Sequence, residues 1–224
     1  MTTLPDSALD LVPVFPLPHV VLFPHARLPL HVFEPRYRKM LADCLAGSRA
    51  IVLAQVDGSR IADVAGAGVV VEHQALPDGR SNIIVAGCAR VRLEELLVEE
   101  GAELPYKRAR AVRLADRDVE VSEADRAALV STAAMFVAEV RRHDPSFRFA
   151  LPDGPAAGVI ADHCAFQLVV DAGVRQAVLE ELDPRARVLR VIDQLAFQHA
   201  AMLSASDPDR PGGTARGGWG GAPS

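Results

Sequence analysis

Aromatic residues are scarce in this 224-residue chain, at 5%, and tryptophan occurs once, as Trp219. Half of the residues are nevertheless hydrophobic, so Val, Leu, Ile and Ala must fill the core. Lysine is almost absent: Lys39 and Lys107 are the only two, and arginine supplies the remaining positive charge. Residues 1–117 carry 14 Lys/Arg against 14 Asp/Glu, and residues 118–224 carry 10 against 15. Neither half has the basic excess with which a nucleic-acid binder neutralises phosphates. The three cysteines, Cys44, Cys88 and Cys164, form no C-x-x-C pair, which excludes the usual zinc and dithiol redox motifs. Reduced, mostly interior thiols are expected instead. Also missing are the phosphate-cradling G-x-x-x-x-G-K-[ST] loop and the G-x-S-x-G nucleophile elbow. Leu11–Ala26 is uncharged but broken by Pro13, Pro16, Pro18 and Pro24, and Asp6 and Asp10 precede it where a signal peptide is basic. A membrane span and a signal peptide are therefore not expected, and a cytoplasmic location is.

What is there is organised around Phe15–Leu45. Proline fixes φ and removes a backbone donor, so the first part of this stretch is neither a continuous helix nor a long central strand. It reads as short extended pieces around Val12–Phe15, Val20–Phe23 and Leu28–Phe33. The period then changes. Pro35 is suited to the first position of a helix, with Glu34 just before it. Tyr37, Met40, Leu41, Cys44 and Leu45 fall on one helical face, and Arg36, Arg38, Lys39 and Asp43 largely on the other. Gly47 is expected in the left-handed position that ends the helix.

Strands are expected next over Ala50–Val56, Gly66–Leu76, Arg80–Gly87, Ala89–Leu97 and Tyr106–Leu114, with turns at Asp57-Gly58 and Pro77-Asp78-Gly79. After Val121 the period is helical. Ser122 and Asp125 form a capping pattern for a helix ending near His143. Pro155 opens a second helix, Asp171 caps a third, and Asp183-Pro184 starts a fourth whose apolar face is Val188, Leu189, Ile192, Leu195, His199 and Met202. From Ala205 the sequence is Pro, Gly, Asp, Arg and Ser around Trp219, too polar to offset the entropy of ordering, and disorder is expected.

Three blocks carry a family resemblance. The run PLP-x-x-VLFP-x-x-x-LPLHVFEPRY spans Pro16 to Tyr37. A second block holds Gly68, Val69 and Val70, then Leu76–Arg80, Asn82, Gly87 and Arg90. A third runs from Asp162 to Leu195 as DHCAFQLVVDAGVRQAVLEELDPRARVLRVIDQL. Together they resemble the amino-terminal, substrate-binding domain of the ATP-dependent Lon proteases, which also occurs as a stand-alone protein. The resemblance implies an α+β fold: a PUA-like mixed β-barrel with an early helix over residues 1–117, followed by an α-helical subdomain over 118–204 and a tail over 205–224. It also implies a non-catalytic module that binds unfolded segments or a partner protein, without the ATPase and protease parts of Lon.

Candidate site residues follow from the FEPRY segment. Phe33, Glu34, Arg36 and Tyr37 are the expected peptide contacts, although Glu34 at a helix start and Arg36 pairing with it also make structural sense. His19, His25 and His31 recur every six residues, but the prolines among them secure no common face, and no metal or cofactor is expected. Lys107, Arg108, Arg110 and Arg113 alternate on a strand and split between its faces. A charged edge strand is expected there rather than an RNA surface. The alternative function is a PUA-like regulator binding a small molecule or RNA, which needs an enclosed pocket with convergent polar groups. A hydrolase would need a nucleophile–base pair, and Ser81 beside the Pro-Asp-Gly turn is the serine to inspect.

Overall fold

Prolines and small residues shape the sheet. A computed structural model of the chain describes residues 4–98, 106–152, 154 and 156–205. One turn of 3-10 helix at Asp6–Leu9 leads into seven strands: β1 Val12–Pro18, β2 Arg27–Val32, β3 Ala50–Asp57, β4 Arg60–Ile61, β5 Val64–Ala75, β6 Ser81–Val98 and β7 Lys107–Leu114. Helix α1, Pro35–Ala46, lies between β2 and β3; α2 Glu123–His143, α3 Ala157–Leu168, α4 Ala172–Glu180 and α5 Pro184–Ala205 follow the last strand. Strand order is β1-β7-β6-β5-β3-β4, with β2 on the other flank of the first half of β6. β1 also pairs in parallel with β3, Val14 opposite Val52 through Pro18 opposite Val56. The sheet therefore curls until its first strand lies between β7 and β3.

A sheet curled this tightly leaves little interior volume. Its filling is accordingly small: Val12, Val14, Val52 and Val91 with Ala50, Ala54, Ala65, Ala67, Ala89, Ala109 and Ala111. This is where the shortage of aromatics is accommodated. A second cluster packs α1 against the sheet through Tyr37, Met40, Leu41 and Cys44, meeting Phe15, Leu22, Ile51, Leu53 and Val85. The third holds the helices together around Leu129, Phe136, Ile160, Cys164, Leu179, Val188 and Leu195, and it includes Val21 and Phe23. Residues 20–23, expected to be extended, lie outside the strands but are not loose. Val21 and Phe23 enter the helical core, while Leu22 between them enters the sheet–α1 core. That alternation is what period two provides.

Several local expectations are corrected. β6 is one 18-residue strand, not two; a register shift between Leu93 and Glu95 bends it without ending it. β7 is not an edge strand, since β6 and β1 flank it. Gly47 has φ −109, and Arg49 takes the left-handed conformation at φ 60. The amides of both Gly47 and Arg49 donate to the Cys44 carbonyl, so the turn satisfies the helix end two residues later than expected. On α5 the buried frame is Arg187, Val188, Val191 and Leu195, and Leu189 is exposed. Caps behave as expected: Ser122 accepts from the Asp125 amide, Asp171 from the Val174 amide, and Asp183 from the amides of Arg185 and Ala186. Pro155 lies outside the described residues, as does the tail after Ala205, which is itself the last residue of α5.

Candidate functional site

The outer face of β2, β6 and β5 is built by strand alternation. Leu28, Leu30 and Val32 turn inward to varying degrees, while Arg27, Pro29 and His31 are exposed. Phe33 continues the exposed set one residue past the strand and is 59% accessible. The His31 and Phe33 rings stack with centroids 6.1 Å apart, and His31 Nδ1 is 2.8 Å from Asn82 Oδ1 on β6. Arg27 reaches across to Glu72 on β5, 2.5 Å away. His31, Asn82 and Glu72 rim a trough of about 760 Å³, floored by Pro29, Leu30, Ile83 and Ile84 and walled by His73 and Gln74. Pro29 is compatible with a strand whose one neighbour among the described residues is β6, because it cannot donate to a second one.

Beyond Phe33, the four expected contact residues part company. Glu34 precedes the helix in extended conformation and accepts from Arg36 Nε at 3.0 Å. Arg36 also lies over the Tyr37 ring, 4.5 Å from its centroid. Tyr37 is 6% accessible and packs on Phe15 with ring centroids 4.5 Å apart. Burial raises its phenol above the usual value, partly offset by Arg36. Phe33, Glu34 and Arg36 thus form a surface strip at the start of α1, and Tyr37 is the buried post beneath it.

Ser81 is 8% accessible, and its Oγ is 3.1 Å from His73 Nε2. No carboxylate bonds the His73 ring among the described residues, so the orienting third member of a serine triad is lacking there. His19 and His25 occupy left-handed turns, at φ 58 and 67. Among the described residues no three His, Cys, Asp or Glu side chains gather as a metal site would require. In β7 two of the expected basic residues are engaged, Arg113 with Asp6 and Arg108 with the Tyr106 hydroxyl. No helix of the described residues is long and apolar enough to cross a membrane.

Missing from the sequence reading is a buried ionic seam between sheet and helices. Arg90 on β6 is 5% accessible; its Nη2 donates to Asp162 Oδ1 on α3 at 2.5 Å, and its Nε to the Leu179 carbonyl at 2.9 Å. Arg187 on α5 is fully buried and grips Asp116 through both terminal nitrogens, each at 2.6 Å. Its Nε lies 3.4 Å from Asp162 Oδ1. Burial pushes the Asp162 carboxyl upward, opposed by Arg90 and Arg187. Burial also pushes Asp116 up, but the bonds from Arg187 outweigh it and hold that carboxyl below the usual range. The signal was in the sequence: Asp162 interrupts the apolar run GVIADHCAF, and Arg187 sits beside the apolar stripe of α5.

The comparisons with known proteins agree with this geometry. The profile of the ATP-dependent protease La (LON) substrate-binding domain matches residues 11–196. The Lon protease of Trichlorobacter lovleyi is 29% identical over 207 residues, covering 87% of this chain and 25% of that protein. That of Roseiflexus castenholzii is 27% identical, over 85% of this chain and 24% of that protein. The chain thus spans about a quarter of the length of the curated relatives it matches. Among solved structures, the Lon N-terminal domain protein from Xanthomonas campestris superposes with a TM-score of 0.64 at 21% identity, covering 82% of this chain and 97% of that one. The N-terminal domain of the Mycobacterium avium complex Lon protease also gives 0.64, at 13% identity, over 83% and 98%. These two likenesses establish the fold: a mixed α/β architecture with a largely antiparallel sheet and, among the described residues, five α-helices.

Proposed function

Because the chain belongs to the LON substrate-binding domain family, we propose that it is a non-catalytic polypeptide-binding module whose contact surface is the trough on β2, β6 and β5 together with Phe33, Glu34 and Arg36. The observation that carries this is Phe33. A large apolar ring, 59% accessible, stacks on His31, which itself lines the concave face, and is held in place rather than left loose. Exposed aromatics beside an arginine are the composition of binding hot spots. Tyr37 acts from below, by fixing the start of α1. The strand circuit β1-β7-β6-β5-β3, in which β1 also pairs β3, supports reading the sheet as a small PUA-like barrel. Division near residue 117 into this unit and a helical one belongs to the same proposal, as do a tail from 205, a cytoplasmic setting and a role in protein quality control. The trough is open, which favours an extended chain over an enclosed small molecule.

The test is anisotropy titration of a labelled, reduced and alkylated model polypeptide with the full chain. Phe33→Ala combined with Arg36→Ala is expected to weaken binding by at least about tenfold, the scale of a hot spot. Unchanged binding by a double variant with unaltered circular dichroism would remove this surface from the reading.

A further inference from the structure

A second cavity opens where residues 24–26 meet α3. It holds about 490 Å³, and its lining includes His25, Ala26, Val159, Asp162, His163 and Phe166. That volume lies in the range of side-chain and small-ligand sites. Most of the wall is apolar. Its polar atoms are unevenly committed. His163 Nε2 is 2.9 Å from the Ala150 carbonyl, which can only accept, so the N–H on that nitrogen is directed there; Gln167 Nε2 lies 3.3 Å from the same atom. Asp162 is 2% accessible, and both arginines reach the same oxygen, Oδ1. Among the described residues no hydrogen bond reaches Oδ2, which leaves it an acceptor open to an occupant of the cavity, beside the imidazole of His25.

The seam also sets the charge of that occupant. Asp162 and Asp116 are balanced by Arg90 and Arg187, so an entering ammonium or guanidinium would meet two buried cations with no carboxylate left uncompensated. A neutral group with one N–H or O–H donor on an apolar ring satisfies the acceptor without adding charge. We propose that this cavity is an anchor pocket for a tryptophan or tyrosine side chain of a bound polypeptide, with the ring against Val159 and Phe166 and its donor on Asp162 Oδ2. The inference rests on the polypeptide-binding reading. Ala26, on the cavity, and Pro29, on the trough, are three residues apart in the chain.

The test uses the full chain carrying Trp219→Phe, which removes its own indole signal. One short apolar peptide is prepared with Trp, Tyr, Phe or Lys at a single position and titrated by calorimetry, and the Trp version also by fluorescence. The Trp and Tyr peptides are expected to bind at least about tenfold more tightly than the Phe peptide, which leaves the buried acceptor unmet. The Lys peptide is expected to bind most weakly, and the indole emission to shift to the blue. Val159→Phe, which fills the cavity, is expected to abolish the preference and leave Phe33-dependent binding intact. Equal binding of the Trp and Phe peptides overturns the pocket while the trough survives. Absence of binding by every peptide overturns both.

Discussion

Gly87 and Gly66 show how much a missing side chain contributes. A Cβ on Gly87 would overlap the Phe23 carbonyl oxygen, and one on Gly66 the Leu22 carbonyl oxygen. The backbone of residues 22–26 therefore lies flat on β5 and β6, and it bonds there: His25 N–H to the Gly87 carbonyl, Gly87 N–H to that of Ala26. Gly87→Ala is expected to cost about 3 kcal/mol or more, since backbone and not a flexible side chain must move. Gly47→Ala, with only ordinary contacts and negative φ, is expected to stay within about 0.5 kcal/mol. Urea unfolding followed at 222 nm measures both, and equal losses would disprove the close approach. Burial also separates the cysteines. It raises all three thiols, Cys44 to about 11 and Cys164 to about 12, but Cys88 is only half-buried. Alkylation at pH 8 is expected to label Cys88 first and the other two only on unfolding, as peptide mass mapping over time would show.

At the scale of elements, the ionic seam joins β6, α3, α5 and the segment before α2. Asp116 sits below its ordinary range when folded. Its contribution is therefore complete above the unfolded carboxyl value of about 4 and is lost as pH falls through the folded one. Asp162 acts in the opposite sense, because burial raises it and its protonation is favoured in the folded state. The difference between the wild type and Asp116→Asn isolates the first effect. It is expected to be largest near pH 5–7 and to shrink toward pH 2, read as urea midpoints. A difference that grows on acidification would refute the assignment. Arg187→Met removes both charge-assisted bonds to Asp116 and leaves the buried Asp162 with Arg90 alone, and is expected to cost about 1.5–3 kcal/mol, which thermal unfolding would reveal.

For the whole molecule, the crossing of Val21 and Phe23 into the helical core is the main connection. Polar bonds reinforce it: Gln176 to the Val64 carbonyl, Arg175 to that of His19, and the Arg117 amide to that of Leu182. Sheet and helices are therefore expected to lose hydrogen-exchange protection together in urea. Phe23→Ala, a large-to-small change in a buried site, is expected to cost about 3–5 kcal/mol and to let α2–α5 exchange first. Protection lost in two steps in the wild type would argue against the shared core.

Local chemistry in the sequence was enough to place α1 after Pro35, the caps at Ser122, Asp171 and Asp183, the turns at Gly58 and Gly79, and most strands, because these depend on φ preferences and on neighbours within a few residues. The FEPRY strip was visible for the same reason. Tertiary packing alone decided that Tyr37 would be covered while Phe33 stays open, that β7 would gain a second neighbour, and that Leu189 would fall outside the buried frame. It also decided that Arg90, Asp162 and Arg187, scattered over almost a hundred positions, would meet in one buried seam that ends on the exposed Asp116. A charge can be buried only where its partners converge, and that convergence is a property of the curled sheet and the helices laid against it, not of any one stretch of chain.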